Sequence, residues 1–225
     1  MYDIIFISYN EPHADNNWIS LKNRFRYAKR VNGIKGIHQA HIEAARIANT
    51  NMFWVVDADA IIVDSFDFSY IPSLNEQTYV HVYTSINPIN DLQYGYGGVK
   101  LLPKQLTIGM DTNTTDMTTS LSKNLIVMDE ISNITAFNTG PFETWKSAFR
   151  ECAKLASKTI VRQNDEETNE RLKTWTTVGH DREFGEYAIR GARAGMEFGF
   201  SNSNNIKLIN DFDWLHEQFS KNTVG

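Results

Sequence analysis

Two continuous apolar runs stand out in the N-terminal part of the chain, Ile4 to Ser8 and Met52 to Val56, the second leading into Asp57. Runs of this length without alternation are the pattern of strands covered on both faces. Between them Ile37, Ala40, His41, Ala44, Ala45 and Ala48 recur at helical spacing and form a narrow apolar stripe. Gly36 precedes this helix and Asn49-Thr50-Asn51 ends it. Strand, helix, strand predicts a βαβ unit with its two strands parallel and adjacent.

Downstream, Val80 to Ile86 reads as a strand, and Tyr94-Gly95-Tyr96-Gly97-Gly98 as a glycine loop feeding a strand over Val99 to Leu102. Residues 107–122 hold six threonines and two serines among few large apolar groups, which predicts an excursion or loop. Phe142, Trp145, Phe149, Cys152 and Ala156 form a second helical stripe, and Asp165 to Arg171 a solvated face. Phe184 to Ala194 predicts a third helix, closed by Gly195 as a C-cap. The expected fold is α/β, one domain over residues 1–225 with a mixed, mostly parallel central sheet flanked by helices. The stretch 104–177 is its least regular part.

Composition narrows this further. The chain has 225 residues, 41% of them hydrophobic and 22% charged, which excludes collagen-like, disulfide-built and wholly disordered classes. The single cysteine, Cys152, points to a reduced, cytoplasmic setting. No apolar run is long enough to span a bilayer, and the opening residues read as a strand and not as a signal peptide. A net charge of −5 argues against nucleic-acid binding through bulk positive charge. Yet Lys22, Arg24, Arg26, Lys29, Arg30 and Lys35 place six cations in fourteen residues with no acid among them. They are either a solvated helix face followed by a turn, or a patch that neutralises a diphosphate through Arg30 or Lys35, or one that meets a polyanion. Lys35-Gly36, just ahead of a helix, suits a phosphate.

The most informative segment is Phe53-Trp54-Val55-Val56-Asp57-Ala58-Asp59. A strand here delivers two carboxylates at its C-terminal edge, where ligands bind in open α/β sheets. Side chains two apart on an extended strand point the same way. Hard divalent cations take oxygen ligands, so this spacing suits a metal-bound diphosphate. The bare pattern is unspecific, since fourteen aspartates also produce Asp211-Phe212-Asp213. The apolar strand before it sets the first pair apart; the second reads as structural.

These residues resemble GT-A glycosyltransferases, single-domain nucleotide-sugar enzymes with a strand-borne Asp-x-Asp. Phe6-Ile7-Ser8-Tyr9-Asn10-Glu11 is similar to their first strand and donor-base loop, and Gly36 through Asp59 to their glycine, helix, strand and acidic motif. Gly97-Gly98-Val99 followed by Gly179-His180-Asp181-Arg182-Glu183 resembles the galactosyltransferase-like branch, although His180 stands where that branch carries Glu. The Tyr9-Asn10-Glu11-Pro12 opening also resembles glycosyltransferase-like proteins of large tailed phages. The resemblance implies a metal-dependent transferase, Mn²⁺ or Mg²⁺ at Asp57, Asp59 and His216, and a nucleotide-sugar donor, UDP by default. It implies donor contacts at Ser8, Tyr9, Asn10, Arg30, Lys35, Gly36 and Asp57, and acceptor contacts at Tyr96, Gly97 and Gly98. Asp181 or Glu183 would be the base, with inversion at the anomeric carbon. The phage likeness and the cation cluster together suggest hydroxymethylated pyrimidine in DNA as acceptor. The alternatives are a nucleotidyltransferase and an inactive GT-A-like binding or structural module.

Overall fold

Ile4, Ile5 and Phe6 are withdrawn from water completely in the first strand, and Phe53 through Val56 in its neighbour. That complete burial is why neither run alternates. The computed structural model describes residues 1–95, 97–114, 116–158 and 163–223. They form two compact units, one of residues 1–87 and 93–136, the other of residues 88–92 and 137 to the C-terminal end.

The first unit is an α/β layer structure. Its strands are β1 (Asp3–Ser8), β2 (Lys29–Asn32), β3 (Met52–Asp57), β4 (Ala60–Ile62), β5 (Val80–Ile86), β6 (Gln93–Tyr94), β7 (Val99–Pro103) and β8 (Leu125–Thr135). The sheet runs β2-β1-β3-β7-β5-β8-β4, with β6 paired to β5. The expected neighbours β1 and β3 are parallel, with Ile7 opposite Asp57. Helix α1 (Ala14–Arg24) packs Ala14 and Leu21 onto the face carrying Ile4, Phe6, Trp54 and Val56. Helix α2 (Ile37–Ile47) packs Ala40, Ala44 and Ala45 onto the opposite face, against Ile5, Ile7, Phe53 and Val55. The small side chains of α2 let it lie close to the strands, which is what the narrow stripe encodes.

The sheet is mixed, but it is not mostly parallel. Among the described residues only β1–β2, β1–β3 and β5–β8 are parallel pairs. The pairs β3–β7, β4–β8, β5–β6 and β5–β7 are antiparallel. The cause lies at Gly97-Gly98: the chain enters β7 at the end where β3 finishes, with Asp57 N–H donating to Gly98 C=O at 2.9 Å, and must run back along β3. Two further features were not anticipated. The cation-rich stretch includes an edge strand, β2, and the 104–177 region contributes the eleven-residue strand β8. A short helix, α3 (Lys104–Ile108), runs into the expected excursion over 107–122, and a second, α4 (Met117–Ser120), lies within it.

The second unit is helical: α5 (Pro141–Ser157), α6 (Asp165–Thr177), α7 (Gly185–Ser201) and α8 (Phe212–Thr223). Its core gathers Trp145, Phe149, Ala153, Ile206, Ile209 and Leu215. Cys152 is buried there, and burial pushes its thiol well up, consistent with an unreactive packing residue. Gly195 does not cap α7, which continues to Ser201. It belongs instead to a row with Gly191 and Gly199. A Cβ on these three would lie 2.3 Å from Trp145 O, 2.1 Å from Phe149 O and 2.5 Å from Ala153 O. Contacts that advance together along both chains make α5 and α7 a parallel pair, backbone against backbone.

Candidate functional site

Strand β1 is flanked by β2 on one side and β3 on the other, all three parallel. The chain therefore leaves β1 in one direction and returns on its other side, a topological switch point whose crevice lies beyond the C-terminal strand ends. Asp57 is the last residue of β3, and Asp59 sits in the turn to β4. The backbone of this turn is pinned from two sides: Asn17 Nδ2 of α1 donates to Ala58 O at 2.8 Å, and Ala136 N–H donates to Asp59 O at 2.7 Å. The Asp-Ala-Asp segment is thus held rigidly in this crevice.

The structure adds two charged residues to the pair. Lys100, the second residue of β7, directs its ammonium to both Asp57 oxygens, at 3.0 and 2.8 Å, and also donates to Gly97 O. Its side chain is only 3% exposed, against 29% for Asp57. A buried lysine requires a partner, so a lone cation inside the apolar run Val99 to Leu102 was the signal that could have found it. Glu11, on the loop after β1, accepts the Tyr9 N–H at 2.7 Å and acts on both aspartates through its charge. Burial pushes the Asp57 carboxyl up, and Lys100 pulls it back only in part. Asp59 is pushed up to about 7, first by burial, then by the charges of Asp57 and Glu11.

A pH-dependent stability follows. A carboxyl whose pKa rises on folding favours the native state while protonated, and that stability is lost as pH climbs from about 4 through about 7. Asp59→Asn removes the penalty. It should leave stability near that of the parent at pH 4 and raise it at pH 8, by about 1–2 kcal/mol once partial exposure is discounted. Urea unfolding at both pH values checks this; a variant less stable at pH 8 would contradict it.

Of the other anticipated donor residues, Ser8 is buried, its hydroxyl donating to Asn32 Oδ1 at 2.8 Å and accepting from Arg30 Nε at 2.9 Å. Tyr9, Asn10, Lys35 and Gly36 are exposed. Arg30 is engaged, its guanidinium pairing with Asp15 at 2.7 Å and lying over the Phe6 ring. Gly97 takes a left-handed φ of +89°, and Gly98 lies where a Cβ would strike Asn133 Nδ2 at 2.7 Å. Tyr96 lies outside the described residues.

Most of the cation cluster is engaged within the fold. Lys22 donates to Ala28 O, Lys29 pairs with Asp3, and Arg24 donates to the carbonyls of Ile62, Val63, Asp64 and Phe66. With Arg30 on Asp15, four of the six cations serve the fold.

In the second unit, Asp181 and Glu183 are exposed on the turn between Gly179 and Gly185, ahead of α7 and not in its first turn. That turn is tightly wound. A Cβ on Gly179, whose φ is +99°, would lie 2.3 Å from Ile89 O, and one on Gly185 would lie 1.7 Å from Gly179 O. Arg182 pairs with Asp91 at 2.8 Å. His216, anticipated as a metal ligand, stacks on the Phe142 ring with centroids 3.5 Å apart, a packing contact. Asp211 accepts the N–H groups of Asp213 and Trp214 and so caps α8, which accounts for the second Asp-x-Asp structurally.

Glu11, Asp57 and Asp59 against the single ammonium of Lys100 leave the β3 end with excess negative charge. Among the described residues, no three His, Cys, Asp or Glu side chains are gathered into a ready-made metal group. No protein-family model matches the chain, and no curated protein matches it. No helix among the described residues is long and apolar enough to cross a membrane.

Proposed function

We propose that the protein is a cation-dependent glycosyltransferase that takes a sugar from a nucleotide-sugar donor, UDP-linked by default, to an acceptor hydroxyl. The observation that carries this reading is Asp57 and Asp59, rigidly held at the switch point of parallel strands and short of positive charge. An anionic diphosphate does not enter such a site unaided. Mg²⁺ commonly rests on one or two carboxylates and completes its shell with phosphate oxygens, and Asp59 would be such a carboxylate here. When bound, the cation would offset the charge that develops on the departing diphosphate. Asp57, oriented by Lys100, is the acceptor for a donor hydroxyl or a cation-bound water. Asp181 or Glu183 takes the acceptor proton in this reading, and direct attack inverts the anomeric carbon. For a DNA acceptor, the support left from the cluster is Arg26 and Lys35.

Calorimetric titration of UDP with and without Mn²⁺ tests the donor site. Asp59→Asn should weaken Mn²⁺-dependent binding at least tenfold, about 1.4 kcal/mol, because the amide removes the charge a dication requires. Asp213→Asn should leave it within about twofold, since Asp213 lies exposed on α8. Equal losses in the two variants would overturn the assignment. Product analysis with a nucleotide sugar against a nucleoside triphosphate separates glycosyl from nucleotidyl transfer.

A further inference from the structure

The ammonium of Lys100 lies on both oxygens of Asp57 and on Gly97 O. An ammonium has three protons, and these three acceptors account for them. The side chain is 3% exposed, so it has no route to solvent without breaking out of the sheet. Lys100 stands opposite Val55 on β3 and opposite Val82 on β5, inside the strand ladder on both sides. It is a fixed positive charge, not a mobile one. The carboxylate it holds is one of the two the acidic segment would offer to a dication, while among the described residues no lysine pairs directly with Asp59, which Lys100 reaches only through its charge.

We propose that Lys100 is a positioning residue that acts as a built-in competitor for the cation. It holds Asp57 out of the metal's reach and repels a bare dication, so that the ion enters only in company with the anionic nucleotide. This rests on the reading of the β3 end as a cation–diphosphate site and specifies its order of binding. A like charge close to a dication in a partly dry site disfavours it strongly, and a diphosphate supplies the opposite charge that offsets it. Asp59 is then the carboxylate that meets the metal, and Asp57 stays with Lys100 in both states.

The test is a titration of the nucleotide-free protein with Mn²⁺ alone, followed by electron paramagnetic resonance of the free ion. Lys100→Gln, with folding checked by circular dichroism, should bind bare Mn²⁺ at least tenfold more tightly than the parent. If the parent binds too weakly to measure, the appearance of binding in the variant is the same result. The paired change Asp57→Asn with Lys100→Met removes both charges at once and covers the case in which Lys100→Gln does not fold. It should keep bare-Mn²⁺ affinity within about threefold of the parent, because a net charge of zero is lost and no ligand goes with it. Unchanged or weaker binding in Lys100→Gln, or a loss of tenfold or more in the paired variant, overturns the proposal. Turnover of a nucleotide sugar by the parent is measured separately. If that fails while the Mn²⁺ titrations behave as expected, the transferase reading falls and the role of Lys100 stands.

Discussion

Lys100→Met should cost about 3 kcal/mol of stability, at the lower end for breaking a buried ion pair. The substitution keeps the volume of the side chain, so the loss is electrostatic and not a cavity effect. Three acceptors lose their donor together: both oxygens of Asp57 and the Gly97 carbonyl. Asp57 retains 29% exposure, so water recovers part of its solvation and keeps the figure from rising further. Adding Asp57→Asn to the same background should restore about 1–2 kcal/mol, because the stranded charge is then gone. Chemical denaturation of the parent, both single variants and the pair gives the coupling directly. If the pair proves additive, Asp57 and Lys100 do not interact energetically, and the site loses its organising contact.

Gly195→Ala should destabilise the protein by about 2–3 kcal/mol, although alanine normally favours a helix interior over glycine by about 1 kcal/mol. The sign reverses because the new methyl would sit 2.1 Å from Phe149 O, a backbone atom that cannot swing away. Gly191 and Gly199 face Trp145 O and Ala153 O in the same manner, so α5 and α7 would have to separate along their contact. Gly109→Ala is the control: its methyl would meet Gln105 O at an ordinary 3.5 Å, and stability should stay within about 0.5 kcal/mol. Thermal unfolding of the two variants decides. A stabilised Gly195→Ala would mean that the helices are not in backbone contact.

The difference between these two glycines shows where sequence reading stops. Gly195 follows an apolar helical stripe, and a glycine in that position reads as a stop signal when only local conformation is considered. Its real constraint is a carbonyl 46 residues earlier in the chain, at Phe149. Periodicity could not supply that contact, although the i, i+4, i+8 spacing of Gly191, Gly195 and Gly199 was visible. The same holds for the sheet. Apolar runs identified β1, β3, β5 and β7 almost to the residue, because burial on both faces removes alternation. Strand β8 escaped because Asp129, Glu130, Ser132 and Asn133 break its apolar pattern, and its strand character comes from pairing with β5 and β4.

At the candidate site, the strand-end position of Asp57 was legible because it depends on local pattern alone, an apolar strand and then a carboxylate, whereas Asp59 lies in the turn beyond it and not on the extended strand. The charges that act on them were not legible. Glu11, Asp57 and Lys100 are brought together from β1's loop, β3 and β7, and only the strand order makes β7 the neighbour of β3. The cations from Lys22 to Lys35 were visible as a cluster in sequence, yet four of the six are engaged by Asp3, Asp15 and backbone carbonyls. Backbone conformation and burial follow from short-range pattern, whereas the partner of a charge depends on Coulomb distance, which only the folded chain sets.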